Sequence, residues 1–179
     1  MPPETRWKRC STIFSRMTPI VSLMRSCTVP EPYFSQMQQQ SGGKVLVDER
    51  TLWPNGRFVT TNLIVATKFL NAHPDVVKRL LEGQVAATDY VNKNPADAQK
   101  AANDAIQAVT QTRLNDAVVA AAWKNMAFTN DPTASSLATS AQNAQNLGLL
   151  DKVDLSGIYD LDPLNEVLAE NGQQAVSGL

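Results

Sequence analysis

The chain has 179 residues, of which 43% are hydrophobic, and its formal net charge is −1 at pH 7. This length predicts a single domain with a sizeable core, and the near-neutral charge gives no electrostatic reason to expect nucleic acid or an acidic membrane as partner. No run approaches the roughly 18 apolar residues of a membrane-spanning helix.

The first 27 residues are basic, with five Lys or Arg side chains against one Glu and a net charge of +4. They show neither helical nor strand periodicity, so we predict an irregular region over residues 1–28. Arg16 and Arg25 interrupt the apolar stretch, and a signal-peptide pattern is therefore missing. Cys10 and Cys27 lack metal-ligand spacing, and a disulfide between them stays open.

A short helix is predicted from Tyr33 to Gln40, ended by Gly42 and Gly43. Two strand-like runs follow, "KVLVD" at 44–48 and "FVTTNLIVA" at 58–66, on either side of a Pro-Asn-Gly turn. The second run is nearly apolar throughout, which is typical of a strand covered on both faces.

Beyond residue 66 the chain is rich in alanine and reads as helical. Four helix starts place proline at or near the first turn, after a His, Asn or Asp, where its missing N–H costs nothing. A further helix is indicated by apolar residues between 118 and 126 at helical spacing. The four starts are His73-Pro74, Asn94-Pro95, Asp131-Pro132 and Asp162-Pro163.

The balance between helices and strands is unusual. Five or so amphipathic helices accompany two strands, and a two-stranded piece is marginal in water on its own. The pattern therefore predicts that the remaining strands of the sheet belong to sequence outside this chain.

From Val29 onward the chain resembles the C-terminal part of substrate-binding proteins of ABC importers, in the aliphatic sulfonate, taurine and nitrate group. The resemblance is carried by "VPEPY" at 29–33 and by "GGKVLVDERTLWPNGRFVTTNLIVATKFLNAHPDVVKRLLEG" at 42–83. It continues in "DPTASSLATSAQNAQNLGLL" and "DLSGIYDLDPLNEVL", between residues 131 and 168.

This resemblance implies an α/β chain with an incomplete type II periplasmic-binding-protein fold, mostly helical with two or three strands. Residues 29–57 would complete the second lobe, and residues 58–179 would supply the crossing strand and the C-terminal helices of the first lobe. The chain would be a truncated product, although a short protein with a new N-terminus is the competing interpretation. The family further implies an ABC permease as partner and a periplasmic or cell-surface location, or retention in the cytoplasm without a signal peptide.

Catalysis is not indicated by any group of residues. His73 is the single histidine and precedes a proline, which favours a surface or capping role. Gly42-Gly43 is too short for a phosphate-binding loop, and no Ser-His-Asp set or metal-ligand cluster is present. The sequence therefore predicts no enzyme and no cofactor.

Binding of a small anion is the chemistry that the resemblance implies. A sulfonate is held best by backbone N–H groups, hydroxyls and arginine. The candidate residues each have a structural alternative: a Pro-Glu-Pro loop, ordinary strand threonines, or pairing of the arginine with Asp48 or Glu49. The ligand-binding candidates are Glu31, Pro32, Tyr33, Arg57, Thr60 and Thr61.

The function predicted from these observations is the solute-binding component of an ABC importer for aliphatic sulfonates or related small anions. The alternative is a noncatalytic helical module that uses the alanine-rich helices as a docking surface for another protein.

Overall fold

A computed structural model describes residues 28–179, so Cys10, Cys27 and nearly all of the predicted irregular region lie outside it. The described part is helical. Two short 3₁₀ turns, Glu49–Leu52 and Pro54–Gly56, separate the first helix from the others. The α-helices are α1 (Tyr33–Ser41), α2 (Thr67–Ala72), α3 (Pro74–Lys93), α4 (Pro95–Thr110), α5 (Asp116–Asn125), α6 (Ala134–Asn146) and α7 (Asp162–Glu170).

Proline marks the start of three helices, as the sequence predicts. It occupies the first turn of α3, α4 and α7, where no intrahelical partner for its nitrogen is needed. At Asp131-Pro132 the proline lies two residues before α6, near its first turn but not in it. Asp131 Oδ1 accepts a 2.8 Å hydrogen bond from the Thr133 N–H, and Thr133 adopts a left-handed backbone with φ 53°. This local turn delays α6 until Ala134.

The end of α1 follows from glycine, as predicted. Gly42 adopts φ 65°, a left-handed conformation that other residues rarely take, and the Gly43 N–H then bonds to the Met37 carbonyl at 3.0 Å. Helix α2 was not predicted as a separate element. It ends at His73, whose ring packs 4.9 Å from that of Phe69, and α3 begins at the next residue.

The best-buried apolar cluster lies between α3 and α7. Val85, Val167 and Leu168 are almost fully buried there, and each contributes roughly 1.5–3 kcal/mol by leaving water. Lys78 on α3 donates to both Glu166 and Glu170 on α7 at 2.8 Å, above the same interface. Helix α3 also packs on α4, α4 on α5, and α5 on α1, so the helices form a continuous series.

Two asparagine side chains fasten loops to this series. Asn103 is 1% exposed; its amide donates to the Leu114 carbonyl and to Asp116, and its oxygen accepts from the Leu114 N–H. The Asn165 side chain on α7 forms the same pair of bonds with Val176. It donates to the Val176 carbonyl at 3.0 Å and accepts from the Val176 N–H at 2.8 Å. Each side-chain amide thus satisfies both the N–H and the carbonyl of one loop residue, as a neighbouring backbone segment would.

The strands predicted at 44–48 and 58–66 are not confirmed. No residue between 28 and 179 pairs in a β-ladder, and the run at 58–66 is exposed rather than covered on both faces. The physical reason is that a strand exists through hydrogen bonds to a neighbour, and the described part of the chain supplies none. The architecture is thus mostly helical and compatible with part of a periplasmic-binding-like fold.

Two tryptophans pack against nearby phenylalanines. The ring of Trp53 lies 4.4 Å from that of Phe58, and the ring of Trp123 lies 4.6 Å from that of Phe128. Ring centroids at these separations are typical of packed aromatic pairs. None of the helices in residues 28–179 combines the length and the apolar character needed to cross a membrane.

Candidate functional site

Glu31, Pro32 and Tyr33 lie together at the start of α1. Pro32 precedes the helix and Tyr33 is its first residue, with a side chain that is partly exposed. The Glu31 carboxylate accepts from the Ser35 N–H at 3.2 Å and from the Ser35 hydroxyl at 3.0 Å. A helix N-terminus attracts anions, and here the protein's own carboxylate takes that position.

The same carboxylate connects α1 with α5. Asn125 Nδ2 donates to Glu31 Oε1 at 2.6 Å, and Asn125 Oδ1 lies 3.5 Å from a guanidinium nitrogen of Arg50. Arg50 in turn donates two hydrogen bonds to the Asp48 carboxylate, from Nε at 3.0 Å and from Nη2 at 2.6 Å. We call Glu31, Ser35, Asn125, Arg50 and Asp48 the Glu31–Asp48 network.

Arg50 is the cation of the Glu31–Asp48 network, and it pairs with Asp48. The hydrogen bonds from the Arg50 side chain and backbone lower the pKa of Asp48, and Asp48 raises the pKa of Arg50. The alternative that Arg57 pairs with Asp48 or Glu49 is wrong for Asp48, since Arg50 takes that place, and Glu49 forms no ion pair with a described residue. Spacing in the sequence did not single out Arg50, because Asp48 has both Arg50 and Arg57 within ten residues.

Arg57, Thr60 and Thr61 lie together along the chain after the Pro-Asn-Gly turn. All three are exposed, and no other described residue hydrogen-bonds to their side chains. A guanidinium and two hydroxyls are suitable donors for the oxygens of a small anion. Within residues 28–179, however, no hydrogen bond or ion pair joins them to Glu31 or Pro32.

Two open cavities of the described residues lie elsewhere. One, of about 280 Å³, is lined by Tyr159, Asn165 and Val176 near the end of the chain. The other, of about 340 Å³, is lined by Asp75, Asp162 and Glu166, with Lys78. Three carboxylates around the second cavity disfavour an anion, and neither cavity contains a predicted ligand-binding residue.

Three side-chain polar atoms in residues 28–179 are buried without a hydrogen-bond partner: Tyr159 Oη, Trp53 Nε1 and Asn130 Oδ1. Burial, helped by the negative charge of Asp131, raises the pKa of the Tyr159 hydroxyl. The described residues contain no group of His, Cys, Asp and Glu that would hold a metal ion. His73 stands at the first position before α3, and its imidazole makes no capping hydrogen bond there.

Comparison with known proteins gives one match. No curated protein and no solved structure shows significant similarity to the chain. The matched range begins in the basic N-terminal region and ends within α4, just under half of the 179 residues, and it includes all six predicted ligand-binding residues. Over residues 21–107 this chain is similar to the NMT1-like family, whose members are substrate-binding proteins of ABC transport.

Proposed function

We propose that this chain is a solute-binding component of an ABC importer, with aliphatic sulfonates, taurine or nitrate as its ligand class. The family match over residues 21–107 carries the proposal. Within the matched range, the exposed group of Arg57, Thr60 and Thr61 offers a positive charge and hydroxyl donors of the kind that a sulfonate needs.

The proposed partners are a small anion and an ABC permease in the membrane. The proposed location of the protein is the periplasm, as is typical of the family, or the cell surface. Tyr33 would contribute its hydroxyl and ring face to the ligand, and Pro32 would shape the loop. Glu31 would position this loop rather than contact the ligand, since its carboxylate accepts hydrogen bonds from Ser35 and Asn125.

We expect the chain alone to bind its ligand weakly. Neither of the two cavities described above is lined by a candidate residue, so a ligand held by these residues would stay largely in contact with water and gain little from burial. Calorimetry with taurine, an alkanesulfonate and nitrate should show no micromolar affinity, and a micromolar affinity would refute this expectation.

A chemical-shift titration tests the ligand class itself. Ethanesulfonate in the millimolar range should shift the backbone amide signals of Arg57, Thr60 and Thr61 in a saturable way, and Arg57→Gln should abolish the shifts. Arg79→Gln is the control, because Arg79 is also exposed and lies on α3, where it pairs with Asp75. Shifts that are absent, or that survive in Arg57→Gln, would overturn the assignment of the anion to this group.

The second candidate function is a noncatalytic helical interaction module. Its contacts would come from exposed apolar side chains, of which Val109 and Leu147 at the ends of α4 and α6 are examples. A monodisperse monomer with a single cooperative melting transition would support the module. Exposed strand-like segments that associate would support the binding-protein fragment.

A further inference from the structure

The chain contains two Asn-Gly pairs, Asn55-Gly56 and Asn171-Gly172, and their surroundings in the fold differ. Asparagine is a chemically labile residue. A following glycine has no side chain to keep its backbone nitrogen away from the asparagine carboxamide. Both pairs are exposed, so water reaches both of them. Each pair is therefore a candidate for loss of the side-chain amide to water.

The backbone places the glycine nitrogen alike in the two pairs. Each glycine N–H donates at 3.0 Å to the carbonyl three residues earlier, which belongs to Trp53 in one pair and to Ala169 in the other. The ψ angle sets the position of that nitrogen relative to the asparagine side chain, and it is 21° at Asn55 and 9° at Asn171. Backbone geometry at the glycine nitrogen therefore gives neither pair an advantage.

The asparagine side chains differ. Asn171 Nδ2 donates to the Val167 carbonyl at 2.8 Å, at the end of the helix that carries the best-buried apolar cluster. This bond turns the carboxamide back along α7 and away from the following nitrogen. The Asn55 carboxamide has no hydrogen-bond partner among residues 28–179, and it lies in a short 3₁₀ turn. It is therefore free to rotate toward the nitrogen that follows it.

We propose that Asn55 is a site of spontaneous deamidation in the folded chain, and that the bond to Val167 protects Asn171. The Gly56 nitrogen gives its proton to hydroxide and attacks Asn55 Cγ. The new N–Cγ bond forms as the Cγ–Nδ2 bond breaks, and the amide leaves as ammonia after taking a proton from water, which regenerates hydroxide. Water then opens the imide ring at either carbonyl and leaves aspartate or isoaspartate at position 55. The product carries a new carboxylate two residues before Arg57.

Peptide mapping by mass spectrometry tests the proposal on the full chain. Trypsin releases the two pairs in separate peptides, residues 51–57 and residues 153–179, and the first of these contains a single amide side chain. Fragment ions identify the modified residue in the second. After incubation in mildly alkaline buffer, Asn55 should convert at least about fivefold faster than Asn171, the factor that corresponds to one hydrogen bond of ordinary net strength.

Two controls separate the effect of the fold from that of the local sequence. In guanidinium the bond to Val167 is lost, so the rates at Asn55 and Asn171 should become nearly equal. The Asn55→Asp chain supplies the aspartate form of peptide 51–57, so that a second chromatographic peak of equal mass identifies isoaspartate. A sample digested without incubation corrects for deamidation during the digestion.

Three outcomes would overturn the proposal. The first is a rate at Asn55 in the folded chain that does not exceed the rate at Asn171, including no conversion at either. The second is a difference between the two that persists in guanidinium, because the fold would then not be its cause. The third is a single product that elutes with the Asn55→Asp peptide, because direct hydrolysis would then replace the imide.

Discussion

The Glu31 carboxylate has structural contacts at the start of α1. Its oxygens satisfy the Ser35 N–H and hydroxyl and hold Asn125 of α5. Replacing it with alanine, Glu31→Ala, should lower the free energy of unfolding by about 1 kcal/mol, the usual value for a lost helix cap. Urea denaturation measures the change.

Glu49→Ala is the control for this prediction, because Glu49 is exposed and its side chain bonds to no described residue. If Glu31→Ala left stability unchanged but weakened ethanesulfonate binding, Glu31 would be a ligand residue after all.

Individual side-chain partners were the least predictable part of the site. The sequence places Asp48, Arg50 and Arg57 within ten residues, and all pairings are open on spacing alone. The choice of Arg50 depends on the 3₁₀ turn and on Asn125, which is 75 residues away in sequence. A contact at that separation leaves no local pattern to read.

Helices were predictable where their signals are local. Proline in the first turn and a left-handed glycine after the last act within a few residues, and α3, α4, α7 and the end of α1 follow from them. Strands depend on a partner that is remote in sequence, so the β-branched runs indicated potential for pairing rather than pairing itself.

The interface between α3 and α7 should be the most sensitive to truncation of a side chain. Leu168 is 1% exposed and packs with Val85 and Val167. We expect Leu168→Ala to cost about 2–5 kcal/mol, through lost burial and the cavity that remains. Thermal and urea unfolding would measure it, with Leu149→Ala as the exposed control; equal effects of the two would contradict this account of the core.

The turn from α4 into α5 should respond to acid. Lys100 and Arg113 donate to Asp104 and lower its pKa below the usual 3.8. Because the folded-state pKa is lower than the unfolded one, the stabilisation is present above pH 3.8 and is lost as the pH falls through the folded value.

Asp104→Asn should therefore flatten the decline of stability on the acid side and leave its slope near neutrality unchanged. Urea midpoints between about pH 2 and pH 6 would measure this, since they bracket the usual pKa of an aspartate. Asp151→Asn is the control, because Asp151 forms no ion pair with a described residue. A steeper decline in Asp104→Asn would contradict the assignment.

At the scale of the whole molecule, apolar surface remains uncovered. Among residues 28–179, Val45, Leu46 and Val47 in one segment and Leu63 and Ile64 in another are exposed. A neutral dye such as Nile red should therefore brighten and shift to the blue with the native chain, more than with the chain unfolded in guanidinium. Emission equal to that of the unfolded chain would mean that these surfaces are covered in solution.

The two hydrogen bonds between the Asn165 side chain and the Val176 backbone should protect the chain from exopeptidases. Because the Val176 N–H and carbonyl are both engaged, and Gln173 also donates to Asp89, an exopeptidase working inward should remove the last three residues quickly and then stall. Mass spectrometry after carboxypeptidase digestion should reveal a persistent product ending at Val176, and in Asn165→Ala the digestion should run on toward the end of α7.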